Sequence, residues 1–129
     1  MPAGTTPIFP ASVALGMVQI STANTNRDGT GTMGTLLTAG ANGTRIDRLV
    51  IKATVTTTAG MVRFFVHDGT NTRLIREVVV SAITVGASTS AFESDLVTPD
   101  LYLPTSSYQL RVSTEKAETF NVFAFGGSY

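Results

Sequence analysis

The chain holds one histidine, His67, and Asp68 follows it directly. A histidine beside a carboxylate is the base and orienting half of a nucleophilic triad, and since the chain has no cysteine, a serine or threonine would have to be the nucleophile. No G-x-S-x-G elbow supplies one. His67 also ends a run of strand-forming residues, and neighbours on a strand point to opposite faces, so Asp68 cannot orient His67 unless a turn bends the chain first. The pair is read as flanking a turn.

The other constellations weigh the same way. Glu115 and Glu118 flank Lys116, and Glu93, Asp95 and Asp100 lie nearer the middle of the chain. A carboxylate pair for glycoside hydrolysis needs roughly 5–10 Å of separation across a cleft rich in aromatics. There is no tryptophan and aromatics make up 8%, so these acids read as a solvated loop or as ion pairs at an interface. Gly29, Gly31 and Gly34 fit G-x-G-x-x-G, but no helical periodicity follows, so no helix N-terminus would meet a pyrophosphate. Asn24, Asn26 and Asp28 before Gly29 resemble the start of a calcium loop. Arg27 adds a cation there, and Thr35 stands where a bidentate glutamate is needed. Asn42, Gly43 and Thr44 spell a glycosylation sequon, with no secretion signal beside them. The expectation is a protein that is not an enzyme and takes no cofactor and no metal.

Charge and composition narrow the partners. Nine basic and nine acidic side chains cancel, so no global field pulls the protein onto nucleic acid or an anionic membrane. Seven of the nine cations are arginine, whose planar fork suits pairing at interfaces. No stretch approaches the apolar length of a membrane span, and the N-terminus lacks the pattern of a secretory signal. A soluble protein made in the cytoplasm is expected.

The elements that would position these residues are strands. Charged residues are only 14% and the polar content is dominated by threonine, which is β-branched and suits strands. At 129 residues the chain is long enough to bury roughly two-thirds of its unfolded surface. Pro2, Pro7 and Pro10 make 1–12 an extended arm outside any sheet, with Ile8 and Phe9 as its apolar anchors. Residues 13–129 read as one domain. Strands are expected at 13–20, 35–38, 46–57, 61–67, 73–80, 91–97, 108–114 and 119–125, and a long Gly/Thr/Asn-rich loop at 21–44 is broken only by the second of them. The segment 99–107 reads as held open by two prolines.

The centre of this arrangement is the hairpin 61–80, turned by Asp68, Gly69 and Asn71. Its first strand is apolar on both faces, so the second face, with Phe65 and Val79, needs a cover from the second sheet or from another subunit. Short strands with Gly/Asn/Pro-rich turns give an all-β, two-sheet β-sandwich, jelly-roll-like, with an immunoglobulin-like topology as the alternative.

One resemblance adds to this. Arg45-Ile46-Asp47, Ile51-Lys52-Ala53-Thr54, the run from Thr57 to Arg63, His67-Asp68-Gly69-Thr70-Asn71, the run from Ala117 to Val122, and Ala124-Phe125-Gly126-Gly127 together resemble small proteins of tailed-phage and prophage structural regions. The resemblance spans 44–128. It implies a virion protein that binds the outer capsid shell as a decoration (cement) protein, with the major capsid protein as partner and a homo-oligomer, a trimer above all, as its state. A tail, baseplate or head-fibre component that binds host glycans is the alternative. On this reading Ile8, Phe9, Arg27, Asp28, Asp68, Asn71 and Phe65 are the candidate contacts between subunits.

Overall fold

The computed structural model describes residues 9–129, with the backbone alone at 98–100. Ile8 and the rest of 1–8 lie outside the described residues. Eight strands follow in order: β1 (Ser12–Ile20), β2 (Gly34–Thr38), β3 (Thr44–Ala53), β4 (Gly60–His67), β5 (Thr72–Val80), β6 (Glu93–Leu103), β7 (Gln109–Thr114) and β8 (Phe120–Ser128). They form two four-stranded sheets, ordered β1-β8-β3-β6 and β2-β7-β4-β5, and every ladder between named strands is antiparallel.

That order decides the topology. An immunoglobulin domain pairs its first strand with its second. Here β1 and β2 lie in different sheets, and only the β4–β5 hairpin joins two neighbours within one sheet. Eight strands that cross between two sheets in this way make a jelly roll.

Alternation builds the core between the sheets. Leu49, Ile51 and Ala53 of β3, Val62 and Phe64 of β4, Leu110 and Val112 of β7, and Phe120, Val122 and Ala124 of β8 point inward and are buried. Each full burial of a large apolar side chain contributes about 2 kcal/mol. Their neighbours in sequence form the two outer faces.

The hairpin turn forms as its residues require. Asp68 Oδ1 accepts hydrogen bonds from the backbone N–H groups of Thr70 (2.9 Å) and Asn71 (2.7 Å), and Gly69 takes φ 102°. The bonded amides hold the Asp68 carboxyl below its ordinary range.

Three expectations are corrected. The strand expected at 46–57 ends at Ala53, where Thr54 leaves the ladder and Val55 turns to solvent. The strand expected at 91–97 runs on to Leu103, through Pro99, because β6 is an edge strand and a missing N–H costs no ladder bond on its open side. Asp47 bulges out opposite that stretch, which brings Ile46 and Leu49 both inward. Ser12, assigned to the arm, already belongs to β1, and the N–H of Ala11 donates to the carbonyl of Ser128.

Candidate functional site

The outer face of β4 is sealed by the chain's own loop 21–33. The loop is tied at both sides of the strand. Near its start, the N–H of Asn24 donates to the carbonyl of Thr114 on β7 (2.8 Å); farther on, Gly29 lies against the backbone of Thr72 on β5. Beneath the crossing, Arg63 and Phe65 of β4 are both fully buried. Phe65, expected at a contact between subunits, is therefore interior to one chain; the cover is neither the second sheet nor a neighbour. Val79, farther along β5, stays exposed.

A charged cluster pins the loop. Arg63 Nε donates to Glu77 Oε2 (2.9 Å) and Arg63 Nη2 to Glu115 Oε1 (2.9 Å), and Arg27 of the loop donates through Nε to the same Glu77 oxygen (2.7 Å). Two cations and two anions close the account locally. The Arg27 and Arg63 guanidinium groups hold the Glu77 carboxyl below the usual glutamate range. Asn24, buried, shapes the loop by donating to the carbonyls of Thr30 and Thr32 (3.0 Å each) while its Oδ1 accepts from the N–H of Asn26. Sequence reading placed Arg63 on this face without giving it a role. An arginine between Val62 and Phe64 was the available signal.

The remaining candidates gather elsewhere. One end of the sandwich carries the chain start at 9–11, the loop 39–43, the hairpin tip 68–71 and the loop 104–108. There Gly43 lies against Pro104, Gly69 against Ser107 and Gly127 against Pro10. Phe9, Asp28, Asp68 and Asn71 are all exposed, and the Gly29 contact brings Asp28 to the β5 side of this end. Arg27 lies on the loop above Glu77. Asp28 bonds the N–H of Thr30, so the calcium-like oxygens serve the loop's own donors.

The chemical motifs do not assemble. His67 Nδ1 meets Thr72 Oγ1 (2.9 Å), while the Asp68 carboxylate is occupied by the turn. Glu115 bonds Arg63, and Glu118 accepts from the N–H and hydroxyl of Thr58, so the two acids serve separate contacts. Among the described residues no three His, Asp or Glu side chains group as metal ligands, and no helix is long and apolar enough to cross a membrane.

The outer face of the β1-β8-β3-β6 sheet completes the picture. Register lays its residues in rows: Val13, Gly127, Arg45, Tyr102; then Leu15, Phe125, Arg48, Val97; then Met17, Phe123, Val50, Asp95. Val13, Leu15 and Met17 are 94%, 59% and 69% exposed. Phe123 and Phe125 stack with centroids 6.4 Å apart, and the Arg48 guanidinium lies 5.7 Å from the Phe125 centroid. On the far half, Arg48 clamps Asp95 through two nitrogens and holds its carboxyl below the ordinary range, while Arg45 pairs with Asp47 and Lys52 with Glu93.

No family model matches the chain, and no curated protein matches it. Among solved structures it is similar to a pentameric capsid protein isolated from metagenomic phage sequences, at 12% identity and a TM-score of 0.41, over 88% of this chain and 61% of that one. It is likewise similar to a chain of the T13 IBDV viral particle, at 12% identity and a TM-score of 0.41, over 99% of this chain and 36% of that one. The chain thus spans about six-tenths of the length of the first and about a third of the second. The jelly-roll architecture is defined by the strand order of the two sheets.

Proposed function

We propose that the protein is a structural virion component of a tailed phage, a decoration (cement) protein that seats on the outer capsid shell, contacts the major capsid protein and acts as a homo-oligomer, a trimer at local three-fold positions. The observation that carries this reading is the convergence of Phe9, Asp28, Asp68 and Asn71 toward one end of a rigid sandwich. Loops held by a closed jelly roll present a fixed surface, which suits binding to a repeating shell. The resemblance of 44–128 to small proteins of tailed-phage structural regions implies the same reading. The charge-neutral composition agrees with a protein whose work is contact rather than attraction of nucleic acid.

The test compares particles assembled with and without the protein. Loss of heat or low-salt stability in its absence supports the cement role; equal stability contradicts it. Labelling of intact virions separates the shell from the tail, and label at the tail would favour a baseplate or fibre component instead.

A further inference from the structure

We propose that Asn42 is a site of spontaneous deamidation, and that the fold gates the reaction through the closed turn at 40–43. The residue pair decides the chemistry. The backbone nitrogen of Gly43 is the nucleophile, the side-chain amide carbon of Asn42 is the electrophile, and with no side chain on residue 43 nothing hinders the approach. The other asparagines, Asn24, Asn26, Asn71 and Asn121, are followed by threonine, arginine, threonine and valine, whose side chains crowd the same attack. The fold also keeps the glycine in place. A β-carbon on residue 43 would stand 3.2 Å from the Leu103 carbonyl oxygen and 3.1 Å from that of Pro104, so the turn needs a glycine after Asn42 and carries the reactive pair with it.

The reaction needs only solvent. Loss of the Gly43 amide proton to hydroxide lets the nitrogen attack Asn42 Cγ; the new C–N bond closes a succinimide ring and the Cγ–Nδ2 bond breaks. The departing group takes a proton from water and leaves as ammonia, which restores the hydroxide. Water then opens the ring. Opening at the side-chain carbonyl leaves aspartate at 42, and opening at the main-chain carbonyl leaves isoaspartate, with the chain rerouted through the side chain and lengthened by a methylene. Either product adds a negative charge to a chain whose formal net charge is +0.

The gate is a set of hydrogen bonds. The Gly43 N–H donates to the carbonyl of Gly40 (3.1 Å), which holds the proton that must leave and fixes the peptide plane, while the Gly43 carbonyl accepts from the N–H of Tyr129 (3.1 Å). Thr44 closes the turn from the β3 side. Its Oγ1 accepts from the N–H of Gly40 (3.0 Å) and lies 2.8 Å from Ser128 Oγ. Asn42 is exposed and Gly43 is buried. The electrophile is thus free to turn while the nucleophile is held, so attack waits for the turn to open, a local event well short of unfolding the sandwich.

The inference concerns the chain by itself and stands apart from the virion reading. The test incubates the purified protein in mildly alkaline buffer, folded and in urea, and follows each asparagine by peptide mapping with isoaspartate detection. Asn42 should convert first in both, and the folded chain should convert about tenfold more slowly or slower still. Thr44→Val keeps the shape of a buried side chain but removes the acceptor for the Gly40 N–H. It should speed conversion in the folded chain by about fivefold, the worth of one hydrogen bond. Ser128→Ala, which removes only the hydroxyl facing Thr44, repeats the test if the valine variant impairs folding. Asn24→Ala loosens the loop at 21–33 and should leave the Asn42 rate unchanged, which separates opening of this turn from a general loss of stability. Equal rates in the folded and unfolded chain, folded turn variants that keep the wild-type rate, or another asparagine converting first would overturn the proposal.

Discussion

Arg63 and Glu77 face each other across the β4–β5 ladder and are joined Nε to Oε2 at 2.9 Å, with Arg63 fully buried and Glu77 still partly open to solvent. The same Glu77 oxygen holds Arg27 at 2.7 Å, so one carboxylate ties the long loop to the strand it covers. The buried cation thereby converts a loose Gly/Thr/Asn stretch into a lid over Phe65. Stability of the sheet's outer face and order in the loop should rise and fall together.

Removing the buried cation tests this directly. Arg63→Ala leaves Glu77 and Glu115 without their shared partner and empties a large buried site, and should cost about 3 kcal/mol in urea unfolding. A loss below about 1 kcal/mol, the range of exposed ion pairs, would show that the cluster is not holding the loop.

Asn24 is the loop's internal brace. Asn24→Ala removes two donated hydrogen bonds and one accepted bond at a buried position, with an expected loss of about 2 kcal/mol. Asn24→Asp keeps the shape but sets a carboxylate against the carbonyls of Thr30 and Thr32. It should be at least as damaging, and an aspartate variant with wild-type stability would contradict the bonding pattern.

Gly29 carries the loop over the end of β5 at φ 89°, with its α-carbon against the Thr72 carbonyl. Any β-carbon there collides with that backbone and strains the dihedral as well. Gly29→Ala should lift the tip of the loop and raise hydrogen exchange at 24–31, while the β3 and β8 amides keep their protection. Unchanged exchange in the loop would mean the contact is dispensable.

The latch is also acid-sensitive, and the direction is set by Glu77. Its folded pKa is depressed, first by Arg27 and then by Arg63, so its contribution is complete above the unfolded value of ~4.3 and is lost as pH falls through the lower folded value. Protection of the loop amides should hold from neutral pH down to about that value and then decline. Glu77→Gln should weaken the loop at neutral pH and flatten this decline. A decline of the same size in the Gln variant would place the sensitivity outside Glu77.

Much of this was legible in the residues. Period-two patterning marked strands such as 46–53 and 108–114, strand-forming composition marked 61–67 and 73–80, and the Asp68-Gly69-Thr70-Asn71 turn declared the central hairpin. What escaped was long-range. Asp47 and the bulge between Phe64 and Phe65 shift register, and no periodicity announces a shift. Without the bulge, Arg63 would face Arg76 rather than Glu77, so the ion pair cannot be counted off from the turn. The fate of Phe65 depended on where a loop of glycine, threonine and asparagine would lie, and its few apolar anchors do not specify a path. Val13, Leu15 and Met17 share one side of a strand whose alternation is poor, so their exposure needed the strand order, which places β1 at a sheet edge.

The proposed decoration role is most directly tested by mixing the purified protein with phage capsids that it would decorate, prepared without it, and sedimenting the particles. The account predicts saturable co-sedimentation together with restored heat stability of the particle. Protein that stays in the supernatant while the capsids remain as fragile as before would contradict it.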